Sequence, residues 1–250
     1  MNPLVVIPSR LAATRLPGKP LADIHGEPMI VHVWRRAMEA AIGPVVVACG
    51  DAEIAAAIAR AGGTAILTDP DLPTGSDRVH EAVLRLDPER RHDIIVNVQG
   101  DLPTVEPAVV RAVLTPFAVP DAGPEVDITT LACVIRIEDE RYAPSVVKAV
   151  ASFAPDAKPG AIARALYFTR VTAPGGAGEH YHHIGLYAFR RAALERYVTL
   201  PPGVLEQRER LEQLRALEAG MRIYAVLVDT VPLGIDTPAD LARAREMLAP

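Results

Sequence analysis

The chain lacks most of the features that would assign it at a glance. Its 250 residues include two cysteines, Cys49 and Cys133, far apart and set among apolar neighbours. Metal-ligand spacing is absent, and both read as buried free thiols of a reducing compartment. There is no excess of positive charge: 26 Lys and Arg against 31 Asp and Glu give −5. That balance argues against a general nucleic-acid binder, while leaving room for one anionic ligand in a local basic pocket. No window of about 18 apolar residues occurs, so no membrane span is expected. The N-terminus runs straight into a strand without a basic n-region or a cleavage site, so no signal peptide is expected and the location reads as cytoplasmic. Internal repeats and low-complexity segments are missing too. After Ile7 no Gly-x-Gly-x-x-Gly follows, which disfavours a Rossmann dehydrogenase. Lys19 is followed by Pro20 where a P-loop needs Ser or Thr, and the leading Gly of that loop is missing.

What is present begins at residue 4. The apolar run Leu4-Val5-Val6-Ile7-Pro8 delivers three cations, Arg10, Arg15 and Lys19, into one loop rich in turn residues. Pro17-Gly18 turns the backbone between Arg15 and Lys19. Such a loop can wrap a polyphosphate with side-chain charge and free backbone N–H groups; the plainer alternative is a solvated basic loop.

Half the chain is hydrophobic, enough for one large α/β domain of 1–250, with or without a lobe. Strand-length apolar runs at 4–7, 45–48, 65–67 and 93–98 alternate with helical patterns at 29–41, 52–61 and 77–86. Runs with continuous apolar centres predict strands buried on both faces, hence a mostly parallel, Rossmann-like sheet with helices on both sides. Ligands of such sheets bind beyond the carboxyl ends of the strands. The basic loop, Thr74–Arg78 and Gln99–Asp101 all fall on that edge. The pattern changes near residue 120, after a nucleotide-binding half of about 1–120. Ile128–Ile137, Val146–Ser152 and His183–Phe189 alternate and predict a smaller antiparallel lobe over about 121–250. A charged helix is expected over Leu205–Ala219, a strand over Ile223–Val228, and a helix over Pro238–Leu248 begun by Thr237 at its N-cap.

Four groups carry potential chemistry. Asn97-Val98-Gln99-Gly100-Asp101 ends a strand in a polar turn, where Gly100 permits close backbone approach or positive φ. Beside a polyphosphate, Asp101 would need a divalent cation between them; the alternative is a turn Asp bonding its own backbone. Asp236, just before Thr237, reads either as a second carboxylate for that ion or as a helix-entry acid favoured by the dipole. Thr74-Gly75-Ser76-Asp77-Arg78 reads as an ordinary N-cap turn or as a base-recognition loop in which backbone groups and Arg78 meet a pyrimidine edge. In His180-Tyr181-His182-His183, two histidines on one strand face make a poor zinc site without further ligands. His183 and Tyr187, four apart, share a strand face and could meet a polar ligand together, whereas Glu212 and Gln213 read first as solvated helix residues.

Taken together, these segments resemble the 3-deoxy-manno-octulosonate (Kdo) cytidylyltransferases, also called CMP-Kdo synthetases. The resemblance runs nearly end to end. It is carried by Val6-Ile7-Pro8-Ser9-Arg10 with Thr14–Pro20, Pro28–Val33, Asn97–Asp101, Ala165–Arg170, His183–Tyr187, Leu211–Arg215 and Ile235–Pro238. It implies a nucleotide-diphospho-sugar-transferase fold, a homodimer, and Mg²⁺-dependent transfer of a cytidylyl group from CTP to Kdo for lipopolysaccharide synthesis. By position it places Arg10, Arg15 and Lys19 on the CTP phosphates, and Thr74, Gly75 and Arg78 on the cytidine, with Pro8 and Gln99 also at the nucleotide. It places Asp101 and Asp236 on Mg²⁺, and Gln99, Arg170, His183, Tyr187, Glu212 and Gln213 around the sugar acid. Arg15, Lys19, Asp101 and Asp236 would carry catalysis. Three stretches depart from the pattern: Leu102 stands where Glu is usual, Pro144-Ser145 precedes Val146-Val147-Lys148 where an Asn is common, and Pro174–Gly178 replaces a loop with a Trp and charges. Other acceptors, 8-amino-Kdo or a sialic acid, and a nucleotide-binding regulator without turnover are the alternatives.

Overall fold

Apolar strands alternating with amphipathic helices shape the first part of the chain. The computed structural model describes residues 1–12, 16–119 and 126–249. In chain order the elements are β1 (Pro3–Ser9), β2 (Asp23–Ile24), β3 (Glu27–Pro28), α1 (Met29–Glu39), β4 (Val45–Cys49), α2 (Ala52–Arg60), β5 (Thr64–Leu67), α3 (Gly75–Leu86), β6 (Ile94–Asn97), α4 (Pro107–Ala112), α5 (Thr115–Ala118), β7 (Ile128–Val134), α6 (Glu138–Tyr142), β8 (Lys148–Ala151), β9 (Ile162–Thr169), β10 (Tyr181–Arg190), α7 (Arg191–Thr199), α8 (Val204–Glu209), α9 (Gln213–Glu218), β11 (Ile223–Val228) and α10 (Pro238–Met247). They fall into two compact units, Met1–Val110 with Pro232–Pro250, and Arg111–Val231.

In the first unit β5, β4, β1 and β6 lie side by side in that order, every pairing parallel. Every residue of β1, β4 and β6 is buried, as continuous apolar runs covered on both faces should be. The register pairs Val5 with Val45 and Val6 with Asn97. The carboxyl ends of β1 and β6 are therefore neighbours, and the loops after Ser9 and after Asn97 leave from one edge.

The stretch from Pro232 belongs to this first unit, although the sequence reading grouped it with the second half. Ile235, Leu241 and Ala244 are buried with Ile24 and Met29 in one apolar cluster. The Arg245 guanidinium donates to the Asp23 carbonyl at 2.7 and 2.9 Å. Apolar burial and these side-chain-to-backbone bonds thus return the C-terminal helix to the first unit.

The second unit orders its strands β10, β7, β11, β9, β8, with β8 also meeting β10 at Lys148 and His182. All these pairings are antiparallel except β11 with β7. The second unit is thus largely antiparallel, as its alternating strands predict, and it is the expectation of a mostly parallel sheet that is corrected: the pairings of the chain are mixed. The long chain excursion from β7 to β11 allows the parallel return, and alternating strands such as β9 need cover on one face only. The helix expected over 205–219 is two helices, α8 and α9, because Arg210 adopts φ 56° and turns the chain. No helix among the described residues is long and apolar enough to cross a membrane. Cys49 and Cys133 are both buried free thiols.

Candidate functional site

The loop after β1 is shaped by its turn residues. Lys19 N–H donates to the Leu16 carbonyl at 3.1 Å across Pro17-Gly18, and Gly18 has φ 68° and ψ 17°. Pro followed by a residue at positive φ is the type II turn chemistry that the dipeptide predicts. Lys19 then opens a single 3₁₀ turn, Lys19–Leu21, within a loop the sequence reads as non-helical. At the loop's other end, Leu11 N–H donates to the Asp51 carboxylate at 2.8 Å.

Beside this loop lies a cleft of about 310 Å³, lined by Pro8, Ser9, Arg10, Lys19, Thr74, Gly75, Arg78, Gln99, Gly100 and Asp101 among others. That is the size range of a small-ligand site. Every residue expected at the nucleotide lines it except Arg15, which lies outside the described residues. Gly100 is there for a steric reason: a Cβ on it would stand 2.6 Å from the Pro8 carbonyl oxygen. The turn carrying Asp101 therefore sits directly against the end of β1.

One cation ties the two candidate carboxylates together. Lys19 Nζ donates to Asp101 Oδ2 at 2.9 Å, to the Ile235 carbonyl at 2.8 Å and to Asp236 Oδ1 at 3.3 Å. Ile235 N–H in turn donates to the Asp101 carbonyl at 3.0 Å, joining the 99–101 turn to the 235–236 segment. The helix-entry alternative for Asp236 is filled by other residues: Thr237 and Asp240 form the capping box of α10, and Asp240 also accepts from Asp236 N–H. Two carboxylates within reach of one ammonium are a donor set a hard divalent ion also takes, completed by water and phosphate oxygens. Among the described residues no three His, Cys, Asp or Glu side chains gather as a metal site. A divalent ion here would therefore need oxygens from a ligand. In the histidine run, His180 Nε2 lies 3.0 Å from the Pro174 carbonyl.

The Thr74–Arg78 segment is occupied with its own architecture. Thr74 and Asp77 form the capping box of α3. Arg78 is buried, and its guanidinium donates to Thr68 Oγ1 and to the Asp69 and Pro70 carbonyls, at 3.0 and 3.2 Å for the carbonyls. It braces the loop after β5 while lining the cleft together with Thr74 and Gly75. Leu102, the departure beside Asp101, is buried and approaches Gly234.

The second unit gathers His183, Tyr187 and Gln213. On β10 the register with β7 breaks between Ile184 and Ala188, and the His183 and Tyr187 rings lie with centroids 5.6 Å apart. His183 Nε2 is 2.9 Å from Thr130 Oγ1, and Gln213 Nε2 is 3.4 Å from His183 Nδ1. Burial, with His182 nearby, pushes the His183 pKa down to about 3, so its ring is neutral. Burial pushes the Tyr187 phenol well up, helped by Glu212 and Tyr197, so it stays a donor. Gln213 is buried at the start of α9, not solvated; Glu212 is exposed beside it. The Arg170 guanidinium donates to the Pro144, Glu209 and Arg210 carbonyls.

Three residues of this unit escaped sequence reasoning. Thr130 is fully buried against His183. Glu209 accepts from Thr169 Oγ1 at 2.8 Å and from Arg170 N–H at 3.1 Å. Lys148, with no exposed surface, donates to the Ala143 and Val146 carbonyls at 2.7 Å and to the Arg170 carbonyl at 3.3 Å. Only Lys148 left a sequence signal, a lone cation inside an apolar strand.

Comparison with known proteins places this chain in a family. A family model described as cytidylyltransferase matches residues 4–223. The chain is 63% identical to the 3-deoxy-manno-octulosonate cytidylyltransferase of Paramagnetospirillum magneticum over 99% of this chain and 98% of that protein. It is 66% identical to the same-named protein of Rhodospirillum centenum over 100% and 94%. A solved CMP:2-keto-3-deoxy-manno-octonic acid synthetase complexed with CTP is 37% identical and superposes with a TM-score of 0.88, covering 100% of this chain and 99% of that one.

Proposed function

Because the chain belongs to the 3-deoxy-manno-octulosonate cytidylyltransferases, and so transfers a cytidylyl group from CTP to Kdo with release of pyrophosphate, we propose how its residues divide that work. The observation that carries the division is the Lys19 ammonium bridging Asp101 and Asp236 at the side of the cleft that Arg10, Thr74, Gly75 and Gln99 also line.

In this reading CTP lies in the first unit's cleft. Lys19 and Arg10, with Arg15 from the same loop, take the phosphate oxygens, and Pro8, Gly75, Thr74 and Arg78 bound the cytidine. Asp101 and Asp236 would hold Mg²⁺, which when bound would supply Lewis-acid charge for the transfer. When Lys19 moves from the carboxylates to the phosphates its charge follows the negative charge that builds on the transferred group and on the leaving pyrophosphate. That is electrostatic stabilisation of the transition state rather than covalent catalysis. The acceptor is held by the second unit. Tyr187 donates to a hydroxyl, Gln213 and Glu212 accept from others, neutral His183 fixes Gln213, and Arg170 adds positive charge for the Kdo carboxylate. The chain works as a cytoplasmic homodimer.

Pyrophosphate release from each of the four nucleoside triphosphates, with and without Kdo and Mg²⁺, tests the reading, with the product resolved by mass. Product only with CTP, Kdo and a divalent ion is the expected result. Sialic acid should be a poor acceptor, and product from it but not from Kdo would overturn the acceptor assignment. Sedimentation of the purified chain tests the dimer.

A further inference from the structure

We infer that Thr130 is a positioning residue for the acceptor: its buried hydroxyl sets the tautomer of His183 and through it the orientation of the Gln213 amide. The inference rests on the reading above that Gln213 meets the sugar.

Thr130 Oγ1 has three polar neighbours on β10. It is 3.1 Å from the Ile184 carbonyl, 3.0 Å from the Leu186 carbonyl and 2.9 Å from His183 Nε2. Both carbonyls lie where the β7–β10 register breaks. A carbonyl oxygen can only accept, and a hydroxyl has one proton to give. If that proton went to His183, two carbonyl oxygens would face the lone pairs of Oγ1 in a fully buried site, with no donor between them. The proton therefore goes to the carbonyls, and Oγ1 accepts from His183 Nε2–H. A neutral imidazole protonated at Nε2 carries a lone pair at Nδ1. Gln213 must then turn its NH₂ to Nδ1, the contact seen at 3.4 Å, which leaves Oε1 as its outward group.

Every donor in this chain points the same way, from Gln213 to His183 to Thr130 to the β10 carbonyls. The outer end is consequently an acceptor, matched to a ligand rich in hydroxyl donors. With the other tautomer the amide would reverse and present NH₂. The neutral state of His183 agrees with this polarity, since a doubly protonated ring would set an N–H against the Gln213 amide donors. The Phe168 ring, with its centroid 4.6 Å from that of His183, limits how the imidazole can turn to escape the constraint.

The test uses Thr130→Val, which keeps the shape and removes the hydroxyl, with Thr130→Ser as the conservative control. Nitrogen-15 spectra of the intact protein report the His183 tautomer directly, without substrate. The expected result is protonated Nε2 in the wild type and in Thr130→Ser, and a shift toward protonated Nδ1 in Thr130→Val. Kinetically, Thr130→Val should raise KM for Kdo about tenfold, the scale of one misdirected buried hydrogen bond, with KM for CTP unchanged and with Thr130→Ser restoring it. Wild-type His183 protonated at Nδ1 would overturn the proposal even if Thr130→Val failed to fold, as would an unmoved tautomer in that variant. A moved tautomer with unchanged KM for Kdo would overturn the acceptor role of Gln213 while leaving the tautomer assignment standing.

Discussion

If Asp101 and Asp236 hold a divalent ion as proposed, Lys19 competes with it for them, and removing it should separate metal binding from nucleotide binding. Its ammonium contacts both Asp101 and Asp236 and the Ile235 carbonyl. A divalent ion taking these carboxylates has to displace those contacts. The Lys19 side chain is 16% exposed, but Asp101 and Asp236 are 34% and 49% exposed, so water screens the pairs. Two screened pairs of this kind contribute together about 1–2 kcal/mol. At 1.4 kcal/mol per factor of ten, that predicts about 5- to 30-fold tighter Mn²⁺ binding by Lys19→Met in the absence of nucleotide. Calorimetric titration with Mn²⁺ at fixed ionic strength measures it. The same variant should raise KM for CTP and lower kcat, because the charge lost is one that follows the phosphates into the transition state. The two effects have opposite signs, which a merely misfolded variant cannot produce. Unchanged or weaker Mn²⁺ binding would refute the competition, and unchanged CTP kinetics would refute the phosphate role.

Asp101→Asn should cut turnover about 100-fold or more while leaving the fold intact, because the amide keeps the shape and loses the charge; near-normal pyrophosphate release at saturating Mg²⁺ would show a turn residue only. Asp236→Asn should act in the same direction but less, with little change in melting temperature, since Thr237 and Asp240 cap α10; loss of thermal stability alone would favour a capping role. Gly100→Ala should destabilise the chain by about 1–3 kcal/mol in urea, as the new methyl meets the Pro8 carbonyl; an unmoved midpoint would show that the turn has slack. For pH, the His183 pKa falls from an ordinary 6.5 to about 3 on folding. Between those values the unfolded chain takes up a proton that the folded chain refuses, so stability is lost as pH falls from 6.5 toward 3, and none is lost above 6.5. His183→Gln should flatten that decline by up to about 1.4 kcal/mol per pH unit in urea titrations, and parallel slopes for the two proteins would contradict the buried neutral ring.

The nucleotide edge was legible because its signals are local. A continuous apolar run gave β1, Pro17-Gly18 gave the turn that presents Lys19, and Thr237-Pro238 gave the start of α10. Each depends on a few adjacent residues, so the sequence alone shows them. The contents of the second unit were legible only in part. His183 and Tyr187 share a strand face by period, but Thr130 is an unremarked threonine until β7 is laid against β10. Gln213 looked solvated because a six-residue helix has too short a pattern to show which side is buried, and Arg210 had already broken the longer helix expected there. The place of Asp236 beside Asp101 needs contacts spanning more than 130 residues of chain, closed by one backbone bond from Ile235 and an apolar cluster. No spacing rule reaches that far. Residue type offered Asp236 as one of two readings, a second carboxylate for an ion at Asp101, and the resemblance chose that reading, both without the lysine between them.

What the resemblance did not convey is how the cations are held. Arg78 in the first unit, and Arg170 and Lys148 in the second, direct their donors largely at carbonyl oxygens. Neutral amide side chains could brace the same loops at a smaller desolvation cost. The burden is visible at Lys148, whose pKa is lowered by burial, and at Arg78, where burial outweighs its acidic neighbours with Arg10 adding to the effect. A carbonyl supplies a partial negative charge, so a cation bonded to carbonyls keeps most of its field, whereas one paired with a carboxylate does not. At Arg78, which lines the first unit's cleft, one side chain therefore does two things: it fixes a loop, and it brings to the cleft a positive charge bonded to neutral oxygens. A chain of overall charge −5 can in this way offer an anion a local positive charge without becoming a general polyanion binder.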